Sequence, residues 1–452
     1  MDQPVSARQY WDGDAEAMLG TPEIRSLQFE KLKALLKRLY SAKPYWKDRM
    51  DKAGLDPARL ASLDEFSRLM PIMDKAERRK LTEVFGGALE MAGETIAVPI
   101  EDVVLMAATS GTTGEPTPYP HTANDIELNS SLFARMAWRA GIRPGDRIVH
   151  AFGLSMWLAG VPYVQFFQKC GATVLPVGAE GGSERLLRFI KQFRANVLLG
   201  TPSLVEHLIE KAPEIIGAPV SSLGIKSIIC AGEPGAGIPE VRRKIEQAYG
   251  AKLYDHGGSM GLSCGCDEYQ GMHHFAEDYY YFELVDPGTL EPVPFGHGAR
   301  GLAVQTSLEH EGMLWVRETF GDIVEVLTDP CPCGAAGFRY KVVGRVDDML
   351  KVKGVMVYPA AIEGVIASFM PRVTGEFRIV LTERPPRVVP PLKLRIEYGQ
   401  SQQNGELDAL AEEIEAAMRS RLKIGPSIEW VPPFSLERTA GKTQHFERTY
   451  ER

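Results

Sequence analysis

Two sets of residues in this chain have types and spacing that could do chemistry. The first is Thr109-Ser110-Gly111-Thr112-Thr113-Gly114, where four hydroxyl side chains and two glycines share six positions. Such a segment lets hydroxyls and backbone N–H groups converge on phosphate oxygens, and glycine permits the close backbone approach this requires. It is not a Walker loop, because no Gly-Lys-Ser/Thr follows. A bare Gly/Thr run is usually a surface turn. Here it follows the apolar run 103–108 and precedes Pro116-Thr117 and a helical stretch, a setting that favours phosphate binding. The second set is built from cysteines. Cys264 and Cys266 form one Cys-x-Cys pair, Cys331 and Cys333 another, and His273-His274 lies close to the first. Cysteines one residue apart bond to each other poorly, so these pairs point to a metal before a disulfide. Cys266, His273, Cys331 and Cys333 offer three thiolates and one imidazole, a closed tetrahedral shell for a structural zinc, with Cys264 and His274 as substitutes. Free core cysteines are the plainer alternative.

The elements that must position these groups follow from periodicity. Residues 23–40 read as an amphipathic helix through Ile24, Leu27, Leu32, Leu35 and Leu39. Short apolar runs at 103–108, 147–152, 196–200 and 225–231 are each bounded by turn signals. They alternate with helical stretches at 184–193, 204–211 and 239–249. That order predicts an α/β fold with a buried sheet flanked by helices. After Gly344 the texture changes. A strand pair over 349–357, a helix opening at Pro359, a strand over 392–398 and a helix carrying Leu407, Leu410, Ile414 and Met418 make a compact α+β unit. The boundary is placed at residue 346, giving domains 1–346 and 347–452. A chain of 452 residues with 44% hydrophobic composition can fill both cores. Its net charge of -8 argues against a nucleic-acid partner. Residues 148–168 lack Asp, Glu, Lys and Arg, but His150, Gly153, Ser155, Gly160, Pro162 and Gln165 interrupt them, so a buried segment is expected and no membrane partner. No apolar signal core opens the chain, and a cytoplasmic protein is expected.

In this setting residues 109–114 resemble the phosphate loop of the adenylate-forming enzymes. The chain as a whole is similar to their phenylacetate-CoA ligase branch. Tyr10-Trp11-Asp12, Lys43-Pro44-Tyr45-Trp46 and Ala53-Gly54 look like the N-terminal region of that branch, and Gly232-Glu233-Pro234 looks like its adenine-side loop. Asp322 stands where the family binds the ribose hydroxyls. Gly344-Arg345-Val346-Asp347-Asp348 is similar to the hinge motif, followed by Lys351-Val352-Lys353-Gly354. Gly441-Lys442 falls where the family carries its catalytic lysine.

The resemblance implies a large N-terminal α/β domain and a small mobile C-terminal lid. It implies ATP, Mg²⁺ and CoA as reactants and cofactors, and a small carboxylic acid, aromatic by resemblance, as substrate. The acid becomes an acyl-adenylate, and the CoA thiol then displaces AMP. Lys442 is the implied catalytic residue. Thr109 to Gly114, Gly232, Glu233, Pro234, Tyr254, Asp255, Asp322 and Arg345 are implied on the nucleotide, and Lys353 and Gly354 on the pantetheine arm. Residues 152–160, 230–232 and 254–259 are implied around the acid. The branch also carries a cysteine cluster whose second half Cys331-Pro332-Cys333-Gly334 matches, and a homodimer is implied.

Two departures stand out. Glu115 replaces a common lysine, and Tyr254-Asp255-His256-Gly257-Gly258-Ser259-Met260 lacks the family's Mg²⁺-binding glutamate. Asp255 or His256 takes that role, or phosphates and water hold the ion. The rival expectations are a ligase with an amine or carrier-protein acceptor, and a non-catalytic nucleotide or acyl sensor.

Overall fold

A computed structural model describes residues 13–108, 117–257, 260–402, 406–438 and 444–451. The largest element is an eleven-stranded sheet. Half of it is parallel. Arg147–His150 pairs with Thr173–Pro176 and with Val197–Gly200, followed by Ser227–Ala231 and Lys252–Gly257. Val197–Gly200 and Ser227–Ala231 are buried along their whole length, because helices cover both faces. Alternate side chains therefore feed two cores. Val197, Leu199, Ile229 and Ala231 point into one, and Leu198, Ile228 and Cys230 into the other.

The helices on these faces are Ala123–Arg139, Val161–Gln168, Gly182–Phe193, Pro202–Ile216 and Pro239–Tyr249. The last three contain the helical stretches expected from sequence. Pro202 and Pro239 stand in their first turns, where a missing N–H costs nothing.

The other half of the sheet is antiparallel. It runs from Gly261–Ser263 and Met272–His274 through Arg339–Arg345 and Asp322–Leu327 to Arg300–Ser307 and Tyr280–Val285. A separate two-stranded hairpin, Val103–Ala108 with Pro118–Thr122, brackets residues 109–116. Its second strand runs straight into the Ala123–Arg139 helix through a capping box of Thr122 and Asp125. Asp125 also accepts from the backbone N–H groups of Glu311 and Gly312, both at 2.8 Å, which ties the hairpin to the antiparallel half.

The expected N-terminal helix is present as Pro22–Ala42, burying Ile24, Leu32, Leu35 and Leu39. Residues 350–450 have their own core. Helices Pro359–Ala367 and Leu407–Leu422 pack with the four-stranded sheet Pro426–Val431, Leu392–Tyr398, Val373–Leu381 and Phe446–Arg448 around Ile362, Ile379, Leu394 and Ile414. Among the described residues no helix is long and apolar enough to cross a membrane.

Candidate active site

The parallel strands end together, and the crevice beyond the carboxyl ends of such strands is where open α/β sheets bind ligands. The hairpin around residues 109–116 lies against this edge. The Ala108 N–H donates to the Met156 carbonyl at 2.6 Å, just beyond the Arg147–His150 strand. Thr109, Ser110, Gly111, Thr112, Thr113 and Gly114 themselves lie outside the described residues, as does Lys442.

Gly232-Glu233-Pro234 follows the next strand end, with Gly232 at φ 89°, a conformation that favours glycine. The Glu233 carboxylate accepts from the Ser203 backbone N–H at 3.1 Å and its hydroxyl at 3.0 Å, which fixes the loop against the neighbouring helix.

Asp322 and Arg345 are cross-strand partners in the antiparallel half and form an ion pair. The Arg345 guanidinium also donates to the Phe320 carbonyl at 2.7 Å and lies 3.8 Å from Asp347. Pairing of the two strands thus joins two residues 23 positions apart. Lys75, at the start of the Lys75–Phe85 helix, donates to Asp347 at 2.6 Å. No sequence signal marks that contact, since the partners are separated by 272 positions.

Lys353 and Gly354, at φ 49° and 83°, form the exposed turn between Leu350–Val352 and Val355–Val357. Consecutive positive φ values suit a tight two-residue hairpin. The turn belongs to a separate three-stranded sheet that Arg387–Val388 completes.

Tyr254, Asp255 and His256 lie on the last parallel strand, so their side chains alternate between the faces. Tyr254 enters the first core. Asp255 is buried on the opposite face and accepts from the Tyr269 hydroxyl at 2.7 Å. Burial pushes its carboxyl up to about 6. His256 has Nδ1 2.7 Å from the Gly261 carbonyl and Nε2 2.9 Å from the Tyr163 hydroxyl. Burial holds its imidazole down, near 4. Both side chains are engaged within the fold, on opposite faces of one strand.

The cysteine cluster does assemble, with one change. Cys264, His273, Cys331 and Cys333 place their ligand atoms within 4.8 Å of one another. Cys266, expected in that set, is replaced by Cys264. Cys264 directly follows the strand Gly261–Ser263, two along from Leu262, which is paired with His273, and so stays in line with the His273 face; the chain bends at Gly265, which takes Cys266 out of that line. His274 points the other way and stacks on Phe338 at 5.1 Å. Cys264 and Cys331 have their sulfurs 3.8 Å apart, and Cys333 Sγ lies 3.3 Å from His273 Nε2. Zinc–sulfur bonds of about 2.3 Å at tetrahedral angles give a sulfur–sulfur edge of about 3.8 Å. Burial, the largest cause, holds the His273 imidazole near 4, the neutral form a metal needs. The donor set fits a closed zinc site.

Comparison with known proteins gives the family. The AMP-binding enzyme family matches residues 37–301, and the AMP-binding enzyme C-terminal domain matches residues 354–448. A phenylacetate-coenzyme A ligase of Thermus thermophilus is 30% identical over 438 residues, covering 93% of this chain and 95% of the relative. A phenylacetate-coenzyme A ligase of Escherichia coli is 30% identical over 354 residues, 77% of each chain. Among solved structures, 2-hydroxyisobutyryl-CoA ligase in its postadenylation state, complexed with 2-HIB-AMP, superposes with a TM-score of 0.89 at 28% identity, over 100% of this chain and 94% of that one. The same ligase in its thioesterification state gives a TM-score of 0.69, so the two domains here are arranged as in the postadenylation form. The chain belongs to the AMP-binding, adenylate-forming enzyme family. Within it, the chain is an AMP-forming acyl-CoA ligase of the phenylacetate-CoA ligase branch.

Proposed function

We propose that this ligase activates an aromatic carboxylic acid with ATP and passes the acyl group to CoA. A carboxylate resists a thiol because oxide is a poor leaving group. Once its oxygen is bonded to the α-phosphorus, with pyrophosphate leaving, AMP becomes the leaving group for the CoA sulfur.

The observation that carries the aromatic assignment is the set of rings beside the strand ends. Phe152 lies 5.4 Å from Trp157 and 6.1 Å from Tyr163, which lies 4.5 Å from Phe133. Such a wall suits a flat apolar acid. In this reading Asp322 accepts hydrogen bonds from the ribose hydroxyls, a task for an ionised carboxylate, and Arg345 holds it in place. Residues 109–114 bind phosphate, Gly232 to Pro234 border the adenine, and Lys353-Gly354 meets the pantetheine arm after the lid, residues 347–452, has turned. Mg²⁺ comes with the ATP phosphates and water, since Asp255 and His256 are engaged elsewhere. Cys264, His273, Cys331 and Cys333 hold a structural zinc. The phenylacetate-coenzyme A ligase relatives support the acid class. The enzyme is read as cytoplasmic and homodimeric.

Lys442 supplies the cation that stabilises charge developing at the α-phosphate. Removing one such group costs about a hundred- to a thousand-fold in rate. Lys442→Ala is therefore expected to lower acid-dependent pyrophosphate release by that factor while ATP still binds. Release of AMP should require both acid and CoA. Pyrophosphate exchange with no CoA-dependent turnover on any aryl or arylacetic acid would overturn the reading.

A further inference from the structure

We propose that the acid carries a hydrogen-bond donor, a hydroxyl or amino group, where its ring meets Tyr163, and that the Tyr163–His256 pair selects for it. This rests on the aromatic-acid reading and specifies the substrate class of the same site.

The argument starts from the polarity of one hydrogen-bond chain. The carbonyl of Gly261 can only accept, so His256 Nδ1, 2.7 Å away, carries the ring proton. That carbonyl is fixed by the antiparallel pairing of His256 with Leu262 and Gly257 with Gly261. His256 is 3% exposed, and burial keeps the ring neutral, so Nε2 holds a lone pair. The Tyr163 hydroxyl, 2.9 Å from Nε2, must therefore donate its proton there. What the phenol has left are lone pairs. It can accept a hydrogen bond, but it has no proton to give.

Tyr163 sits where this matters. It lies on the Val161–Gln168 helix and is only partly buried, and its ring packs edge-on to Phe133 and Phe152. His256 closes the same wall, 5.7 Å from Phe133. Trp157 completes it and bridges to Ala108, the last described residue before the phosphate-loop segment. An acid held with its carboxylate toward that segment lays its ring along this wall. An unsubstituted ring leaves the Tyr163 lone pairs without a partner, whereas a ring hydroxyl or amine satisfies them. A neutral hydrogen bond of this kind is worth about tenfold in selectivity.

The test is kcat/KM, measured by CoA-dependent AMP release, for phenylacetate, its three ring-hydroxylated isomers, 4-aminophenylacetate and the methoxy analogues. The wild-type enzyme should favour at least one hydroxy or amino acid over phenylacetate by about tenfold, and over the matching methoxy acid by at least as much. In Tyr163→Phe the ratio of the favoured acid to phenylacetate should fall to near unity, whatever loss both share. His256→Leu removes the acceptor on which the phenol spends its proton, so the freed hydroxyl can donate as well as accept and the discrimination against methoxy acids should weaken. A pair that only packs would lower all rates together and leave the ratios unchanged. Equal kcat/KM across the panel in the wild type, or a ratio retained in Tyr163→Phe, overturns the proposal. Turnover of none of these acids overturns the aromatic-acid reading itself, a different outcome from turnover without selectivity.

Discussion

Cys264 and Cys266 are identical side chains one residue apart, and only one of them faces the other metal-type ligands. A strand would point both the same way; the difference is the bend at Gly265, just after the strand Gly261–Ser263 ends. A cluster of Cys264, His273, Cys331 and Cys333 joins the inner strands of the antiparallel half to the loop after Asp322–Leu327. A zinc ion bound there contributes its binding free energy to folding. Cys331→Ser is expected to reduce zinc, measured by atomic emission on the purified protein, from one per chain to near zero and to lower the thermal midpoint. Cys266→Ser should leave zinc content at one per chain. Retained zinc in the first variant, or its loss in the second, would move the site. The phenol and imidazole of Tyr163 and His256 are the other pair in which neither residue alone carries the meaning.

Between the elements, one contact that links the domains is backbone against ring. A Cβ on Gly344 would lie 2.2 Å from the Tyr358 ring, far inside contact distance. Gly344 is on Arg339–Arg345, which also supplies Arg345, and Tyr358 immediately precedes the Pro359–Ala367 helix of the second domain. The same ring packs on Val285, Leu302, Val304 and Ile323 of the large sheet. The glycine is thus needed for close approach rather than for a turn. Gly344→Ala is predicted to force the ring out, at about 1–3 kcal/mol of overpacking. Because the strained contact is between domains, the expected effect is faster proteolytic cleavage near residues 345–349, with little change in urea unfolding of the separate cores. Unchanged cleavage would show that the ring moves aside freely.

At the level of the whole molecule, the two domains meet around a cavity of about 50 Å³ crowded with carboxylates. Glu363, from the Pro359–Ala367 helix, has its Oε2 buried without a hydrogen-bond partner among the described residues. Glu206 and Glu233 face it from the first domain and Glu376 from its own. Lys244 is bonded to Glu206 at 2.8 Å, and His445, 3.8 Å from Glu363, is itself held near 4 by burial, so it brings no charge at neutral pH. Burial first, then the Glu233 and Glu206 carboxylates, push the Glu363 carboxyl well above its ordinary range. A raised carboxyl favours the docked arrangement fully below the ordinary glutamate range, and that contribution is lost as pH rises through the raised value. Docking should therefore loosen as the solution becomes more alkaline. Glu363→Gln, which cannot ionise, should stay docked across the same range. X-ray scattering of both proteins as a function of pH reads this as a change in radius of gyration, and identical profiles would count against it.

The chain by itself determined a good deal. Apolar runs and turn residues marked most of the parallel strands and their helices, because a strand buried on both faces must be apolar throughout, and Val197–Gly200 and Ser227–Ala231 are. The second domain's helices were legible from the positions of Ile362, Leu410 and Ile414, which a helical period brings to one side. Motif order located Asp322 and Arg345 as separate candidates. The antiparallel half of the sheet was not legible: Tyr280–Val285 is buried throughout yet carries Glu283, paired with Arg317 from a distant segment, so it shows neither a clean apolar run nor an alternation. Register lay beyond the sequence as well. Which cysteine joins His273, that Asp322 stands opposite Arg345, that Lys75 reaches Asp347, and that Tyr163 gives its proton to His256 all depend on how distant segments align. Hydrophobic pattern fixes which face of a strand is buried, but only the assembled sheet decides which residue of another strand stands beside it.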